Sequence, residues 1–578
     1  MISRQQLLRQ SGTRQTGGLK VIPFVLANAA LERLASNALL PNMIKYLMGG
    51  YGMELAHGTQ VIFFWNCAIN FMPLIGASLA DSYLGRFLTI GLASIICLLG
   101  VTLLWLTAMI AQARPAACAG SRACEPPTPA QLALLFSSFT LIAVGSGSLR
   151  PCSLGFGADQ LDQRSRNKYA LESYFNWYYT SVAVAALISI TGPVYVQDNF
   201  GWKIGFGVSV VLIFLAVLVF FVASSFYVKH SASRSVLVDF AQVIVASFRK
   251  RKLPLLLASA GDQCYHCEKG SECLAPTDKL RFLNKACVLT SNEQEVAVSH
   301  GSALDPWKIC TVEQVEQLKA LLKVLPVWST GIMVWLNVSQ DTFRLQQANS
   351  MDRHITSTFQ IPAGSFSMFV VISVITWIVL YDRVIIPLAS SFWGKPVRLG
   401  VKLRMGIGLL LSCIAMVVSV IVEHVRREKA LASRRDENQV ATMSAMWLIP
   451  QCAILGLSEA FNAIGQTEFY YSEMPKSMSS IAGSLCLLGA SVANLLASLI
   501  LSLVDHMTSR NGNISWVSSD INSGRYDSYY ALLAALSFAN LIYFAACSWA
   551  YGPCKADKPE MEEEEVPIVG TRRGLDEA

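Results

Sequence analysis

Long apolar runs recur along this chain, separated by short polar breaks. Leu88–Gln112, Ile204–Val228, Ile355–Tyr381, Met478–Val504 and Ser528–Cys554 contain no charged side chain. Each is long enough as a helix to cross a bilayer, which takes about 20 mostly apolar residues. Allowing a few charges inside a run, the pattern predicts about twelve spans. The first six are 19–48, 57–80, 87–112, 131–154, 171–195 and 204–228. The second six are 313–338, 360–387, 401–424, 443–470, 478–504 and 527–552.

The breaks divide the chain. Residues 1–18 form a polar tail, 19–228 a first six-helix bundle, 229–312 a polar linker, 313–552 a second six-helix bundle and 553–578 a disordered tail. The linker carries Arg249-Lys250-Arg251-Lys252, and the last segment carries Glu562–Glu565 followed by Arg572-Arg573. No cleavable apolar core precedes Thr16, so the first span is expected to act as its own insertion signal. Cations in the linker favour placing it, and both termini, in the cytosol. Arg426, Arg427, Lys429, Arg434 and Arg435 would then fall outside, against the usual bias of short loops. Asp81-Ser-Tyr-Leu-Gly85-Arg86 joins spans two and three, and Asp382-Arg383 followed by Arg404-Met-Gly406 echoes it between spans eight and nine. Two repeated six-helix halves are the plan of a transporter with a site at the midplane.

Composition agrees and excludes other classes. Of 578 residues 53% are hydrophobic and 15% charged, with mean hydropathy +0.43; a soluble globular protein carries about 25% charged residues. Disorder is excluded by the same figures. The net charge of +7 is explained by cations flanking membrane helices, without a nucleic-acid partner. Cys67, Cys97, Cys413, Cys452 and Cys486 lie in apolar runs and read as small hydrophobes. Cys264-Tyr-His-Cys267 with Cys273 has part of a zinc spacing, but no second tight pair completes it. No metal or cofactor is therefore expected. Without a His pair, a nucleophile elbow or a phosphate-binding glycine loop, an enzyme is not expected either.

The informative residues are charges inside apolar spans: Glu32, Arg33, Arg150 and Glu459. An ionisable group at membrane depth is costly unless paired or hydrated, so it marks either a pathway or a static pair locking two helices. Arg150 follows Gly145-Ser-Gly147-Ser-Leu and precedes Pro151. Small residues permit close helix approach, and proline invites a kink. A guanidinium stays charged when buried, and its planar fork suits nitrate or a carboxylate. Glu459 is the natural counter-charge in the other half, and such a pair could open and close as the halves rock. Trp65, Tyr178, Tyr179 and Trp335 line a cavity or pack the bundle. Asn337 either donates its amide to an anion or packs helices.

Several stretches resemble known transporters. Gly76-Ala-Ser-Leu-Ala-Asp81-Ser-Tyr-Leu-Gly85-Arg86-Phe is similar to the loop signature of the major facilitator superfamily. Gly155-Phe-Gly-Ala-Asp159-Gln-Leu-Asp162, Tyr174-Phe-Asn-Trp-Tyr178-Tyr and Glu468-Phe-Tyr-Tyr-Ser-Glu473-Met-Pro475 resemble the proton-coupled oligopeptide transporter family. Gly-Gln-Thr-Glu around Gln466 and the long linker resemble its plant nitrate transporter/peptide transporter branch. Pro41-Asn-Met-Ile, Lys279-Leu-Arg-Phe-Leu-Asn-Lys-Ala-Cys and Ser350-Met-Asp-Arg are similar to that branch's first subfamily.

The resemblance implies an all-α integral membrane protein of the major facilitator fold, a plasma-membrane location and alternating access. It implies uptake of nitrate, peptides, hormones or other metabolites, driven by protons, and the subfamily favours low-affinity nitrate. It makes Arg150 and Glu459 the base and acid of helices four and ten, Glu32 and Arg33 the helix-one coupling pair, and Asp81, Gly85 and Arg86 the conformational loop. Arg150, Asn337, Tyr178 and Trp335 are the expected substrate contacts. One departure matters: the family's first helix has an acid three residues before Glu32, where this chain has Ala29. Two acids then face two bases, and no carboxylate is spare to carry a proton. A larger organic solute, or a sensor with little flux, are the competing readings.

Peripheral expectations follow. Thr89, three residues after Arg86, either caps a helix or accepts a phosphate from a regulatory kinase. Asn513-Ile-Ser515 is a glycosylation sequon on the predicted outer side, whereas the Asn337-Val-Ser339 sequon lies inside a span. Cys118 and Cys124 share an outer loop and could pair.

Overall fold

The computed structural model describes residues 18–115, 126–162, 168–229, 236–252, 265–267, 275–289, 305–357, 359–394, 399–432, 441–510 and 513–554. The first half holds α1 (Ile22–Asn37), α2 (Leu55–Leu79), α3 (Arg86–Met109), α4 (Pro129–Asp162), α5 (Lys168–Phe200) and α6 (Trp202–Val222). The second holds α7 (Val312–Val338), α8 (Met368–Leu380), α9 (Val401–Ala432), α10 (Ile449–Glu473), α11 (Ser479–Thr508) and α12 (Tyr526–Tyr551).

Among the described residues, 11 helical stretches are long and apolar enough to cross a membrane. The exception is α1, where one continuous span over 19–48 was expected. It stops at Asn37 after 16 residues, and a separate helix runs over Met43–Tyr51. Pro41 lies in the break; proline has no N–H to donate and disfavours a helical residue before it. Gly52, at φ 64°, closes the second piece in a left-handed conformation.

Within each half the third and fourth helices pack closely, α3 on α4 and α9 on α10, while α2 meets α11 across the halves. In the linker a helix over Val236–Arg249 rests on the first turns of α7. That helix contributes Phe240 and Val243 to a core shared with Leu283, Cys287, Val315 and Leu318. Burial pushes the Cys287 thiol up to about 12, as befits a cysteine used as a hydrophobe. Thr311 and Gln314 form a reciprocal capping box that starts α7. Cys267 is disulfide-bonded, which withdraws one thiolate from the zinc-like spacing; Cys264 and Cys273 lie outside the described residues.

Of the cations after the ninth span, Arg426 finds a structural explanation, while Arg434 and Arg435 lie outside the described residues. Helix α9 extends to Ala432, so Arg426 and Arg427 are helical rather than loop residues. Arg426 is fully buried and grips Glu423 with two hydrogen bonds of 2.8 and 2.7 Å. A paired, buried guanidinium is no free loop charge, and counting it as one weakened the sequence-based orientation.

Candidate functional site

The position of Arg150 is set by two glycines one turn earlier. A Cβ at Gly145 would stand 2.5 Å from the Cys97 backbone nitrogen, and one at Gly147 would stand 2.5 Å from Met72 Cβ. Only glycine lets α4 lie this close to α3 and α2 at once. Helix α4 runs on through Pro151 and carries Arg150 to the interface between the halves.

A cavity of about 460 Å³ lies there. Arg33, Arg150, Tyr178 and Tyr179 line it from the first half, and Thr467 and Tyr471 from the second. Its walls also include Asp81 at the end of α2, Arg86 at the start of α3 and Gly483 near the start of α11. By helix alternation these ends share the side on which the linker joins α6 to α7. The halves touch on the opposite side: the Leu55 N–H donates to Ser519 Oγ at 3.0 Å, Ser365 Oγ to the Ile190 carbonyl at 2.9 Å, and Gln346 Nε2 contacts Met48 Sδ at 3.4 Å. The cavity therefore faces the linker side and is closed on the other.

Arg150 makes no ion pair within 4 Å among the described residues, and its buried Nε has no hydrogen-bond partner. Arg33 and Glu32 are near enough to act on it electrostatically. Glu32 itself is buried and accepts a hydrogen bond from Ser36 Oγ at 2.7 Å. Glu459 is elsewhere. No ion pair joins it to Arg150, and the charges that act on it are Asp341 and Arg344 of its own half, themselves ion-paired. With the cavity open between the halves, the expected pair across it is not made.

The conformational loop has a built geometry. A single π-helical turn, Ala80–Leu84, carries Asp81 beyond α2, and Gly85 at φ 75° turns the chain into α3. Arg86 donates from Nη1 to both carboxylate oxygens of Asp159 at 2.9 Å and lies 3.7 Å from Asp81. The second half repeats this. A π-turn over Tyr381–Ile385 carries Asp382, and Arg404 near the start of α9 pairs with Glu468 of α10. Asp159 and Glu468 were not singled out from the sequence as latch partners, although both stand in the stretches that carry the family resemblance. The doubled Asp before an Arg was the available signal.

Other expected residues lie away from the cavity. Asn337 is fully buried and donates both amide hydrogens within the second half, to Ser412 Oγ and Ser537 Oγ, each at 2.8 Å. Its amide is committed to joining α7, α9 and α12, so it is not presented to a substrate. Trp335 packs toward Gly489 of α11, and its indole nitrogen is buried without a partner. Thr89 is buried and bonds back to the Gly85 carbonyl at 3.0 Å; in this conformation it is a helix-start residue closed to a kinase. Asn513 is exposed in the loop between α11 and α12. Cys118 and Cys124 lie outside the described residues. No cluster of metal-ligating side chains occurs among the described residues.

Two helical halves around a charged central cavity closed on one side define a membrane transporter of the major facilitator type. The POT family model (PTR2) matches residues 87–517. Over nearly their whole lengths, the NRT1/PTR family proteins 1.2 and 1.1 of Arabidopsis thaliana are each 52% identical to the chain. The matches cover 98% and 97% of this chain and 96% and 98% of theirs. A solved auto-inhibited POT family peptide transporter superimposes with TM-score 0.66 at 19% identity, over 93% of this chain and 99% of its own. The chain belongs to the POT family, whose members of known structure are transporters rather than enzymes.

Proposed function

We propose that the protein carries small anions, nitrate foremost, across the plasma membrane by alternating access, with Arg150 holding the anion. The observation that carries this reading is the guanidinium of Arg150 at the cavity wall, without an ion pair and with a buried unpartnered Nε. A buried cation so placed stabilises an anion, because no protein carboxylate is ion-paired to it among the described residues. Arg33 on the same cavity adds a second positive charge. Proton coupling through helix one is weak or absent in this reading. Ala29 stands where the spare acid would be, and Glu32 is engaged by Ser36. The linker side is the cytosol, so the cavity faces inward.

A second reading is favoured by size. A cavity of about 460 Å³, walled by Phe175, Tyr178, Tyr179 and Tyr471, accepts an organic anion with an apolar body as well as nitrate. Labelled nitrate uptake in expressing oocytes, at acidic and neutral external pH and with unlabelled organic carboxylates as competitors, tests both. Saturable uptake with little pH dependence supports the nitrate reading. No uptake despite confirmed surface expression contradicts it. Transport of a competitor would then point to an organic substrate, and ligand-dependent conformational change without flux to a sensor.

A further inference from the structure

The linker helix over Val236–Arg249 has one face in the core described above and a second, exposed face that no other element covers among the described residues. Ile244 and Phe248, one turn apart on that second face, are 56% and 66% exposed. Cations surround them. The Arg251 guanidinium lies 4.5 Å over the Phe248 ring, and Lys285 reaches the Arg251 carbonyl at 2.7 Å. Arg249 reaches the carbonyl of Trp307, another exposed aromatic, at 3.3 Å, and Lys252 is exposed beside them. Arg249, Arg251, Lys252 and Lys285 form no ion pair within 4 Å among the described residues. Among the described residues Asp278 pairs with Arg281, Glu316 is engaged by Lys319 and Thr277, and Asp305 accepts from the Trp307 N–H.

We infer that this face docks on an anionic lipid surface, with Phe248 and Ile244 entering the interface and Arg249, Arg251, Lys252 and Lys285 meeting the headgroups. Two observations favour lipid over another occupant. An aromatic and an aliphatic group ringed by unpaired cations is the chemistry of helices that lie in the membrane interface. The helix is also held beside a membrane: its buried face rests on Val315 and Leu318 at the start of α7, and it begins 11 residues after Ser225, where α6 ends in a 3-10 turn. Covering the patch fixes the linker to the bilayer at the junction of the two halves, where it can bias their rocking.

The test uses the full-length protein in nanodiscs of phosphatidylcholine alone or with phosphatidylserine, read by hydrogen–deuterium exchange over residues 236–252. The inference predicts exchange slowed about tenfold by phosphatidylserine, reversed by high salt, and lost in an Arg251→Glu/Lys252→Glu variant. Unchanged exchange in α7 and α9 of that variant shows that it is folded, and the salt titration on the unaltered protein needs no variant. Equal exchange in both lipids overturns the inference. Protection that disappears when residues 555–578 are removed also overturns it, and assigns the patch to the acidic segment at Glu562–Glu565.

Discussion

Arg86 and Asp159 tie the start of α3 to the end of α4, with Nη1 placed 2.9 Å from both carboxylate oxygens. Arg404 and Glu468 occupy the same places in the second half. Arg86 comes just after a π-turn whose second residue is Asp81; in the second half the matching π-turn carries Asp382, and a further helix, Ile386–Trp393, separates it from Arg404. Both latches lie on the linker side, where the cavity is open. In the proposed alternating access, closing the linker side brings these helix ends of the two halves together, so the latches stand where that closure takes place.

The first prediction concerns that latch. Arg86 and Asp159 are about one-third exposed, so their pairing is screened and contributes about 1 kcal/mol. Arg86→Ala and Asp159→Asn should each slow uptake, and the double variant should be no worse than either single one. A double-mutant cycle on uptake rate, with surface abundance matched, measures the coupling. Strictly additive losses would show that the two residues act separately.

Asn337 should behave as a structural residue. Asn337→Leu removes two buried hydrogen bonds and leaves the Ser412 hydroxyl without its partner, while Ser537 keeps its bond to the Leu533 carbonyl, a loss of about 1–3 kcal/mol. A lower thermal midpoint with unchanged half-saturation for substrate is the expected outcome. A raised half-saturation at unchanged stability would return Asn337 to the binding site.

Ala29 tests the coupling argument. It is buried beside Tyr178, one of the cavity-lining residues. Ala29→Glu adds a third carboxylate to the two acids and two bases Glu32, Glu459, Arg33 and Arg150, one acid in excess of the bases. Such a group is ionised in neutral solution and takes up a proton in acid, so uptake should become acid-stimulated where the unaltered protein's is not. The measurement is the ratio of uptake at acidic and neutral external pH for both proteins. An acid-stimulated unaltered protein would show that another group carries the proton.

Much of the fold was legible because a membrane helix writes itself as an uninterrupted apolar run. The breaks were legible where glycine or a charge cluster stood, as at Gly85, but the split of the first span at Pro41 was not, since apolar residues continue on both sides. Arg150 and Arg33 could be singled out because a charge in an apolar run is conspicuous. Asn337 could not be assigned, because a neutral amide serves a substrate and a helix seam equally well. Its role depends on Ser412 and Ser537, which are 75 and 200 residues away. Periodicity carries no information about such distant pairings, and the same limit hid Asp159 and Glu468 as latch partners. The separation of Arg150 from Glu459 was hidden for a different reason. It belongs to the conformation seen here, open between the halves on the linker side, which apolar runs and lone charges do not specify.

The central claim is that the anion rests on Arg150. The most direct measurement is saturable nitrate uptake by the unaltered protein, Arg150→Ala and Arg150→Lys at equal surface abundance. A charge-assisted hydrogen bond contributes about 1.5–3 kcal/mol, so Arg150→Ala should lower nitrate uptake at subsaturating concentration by about tenfold or more. Arg150→Lys should keep part of it, having the charge without the planar fork. Nitrate uptake by Arg150→Ala with unchanged rate and half-saturation would contradict the account.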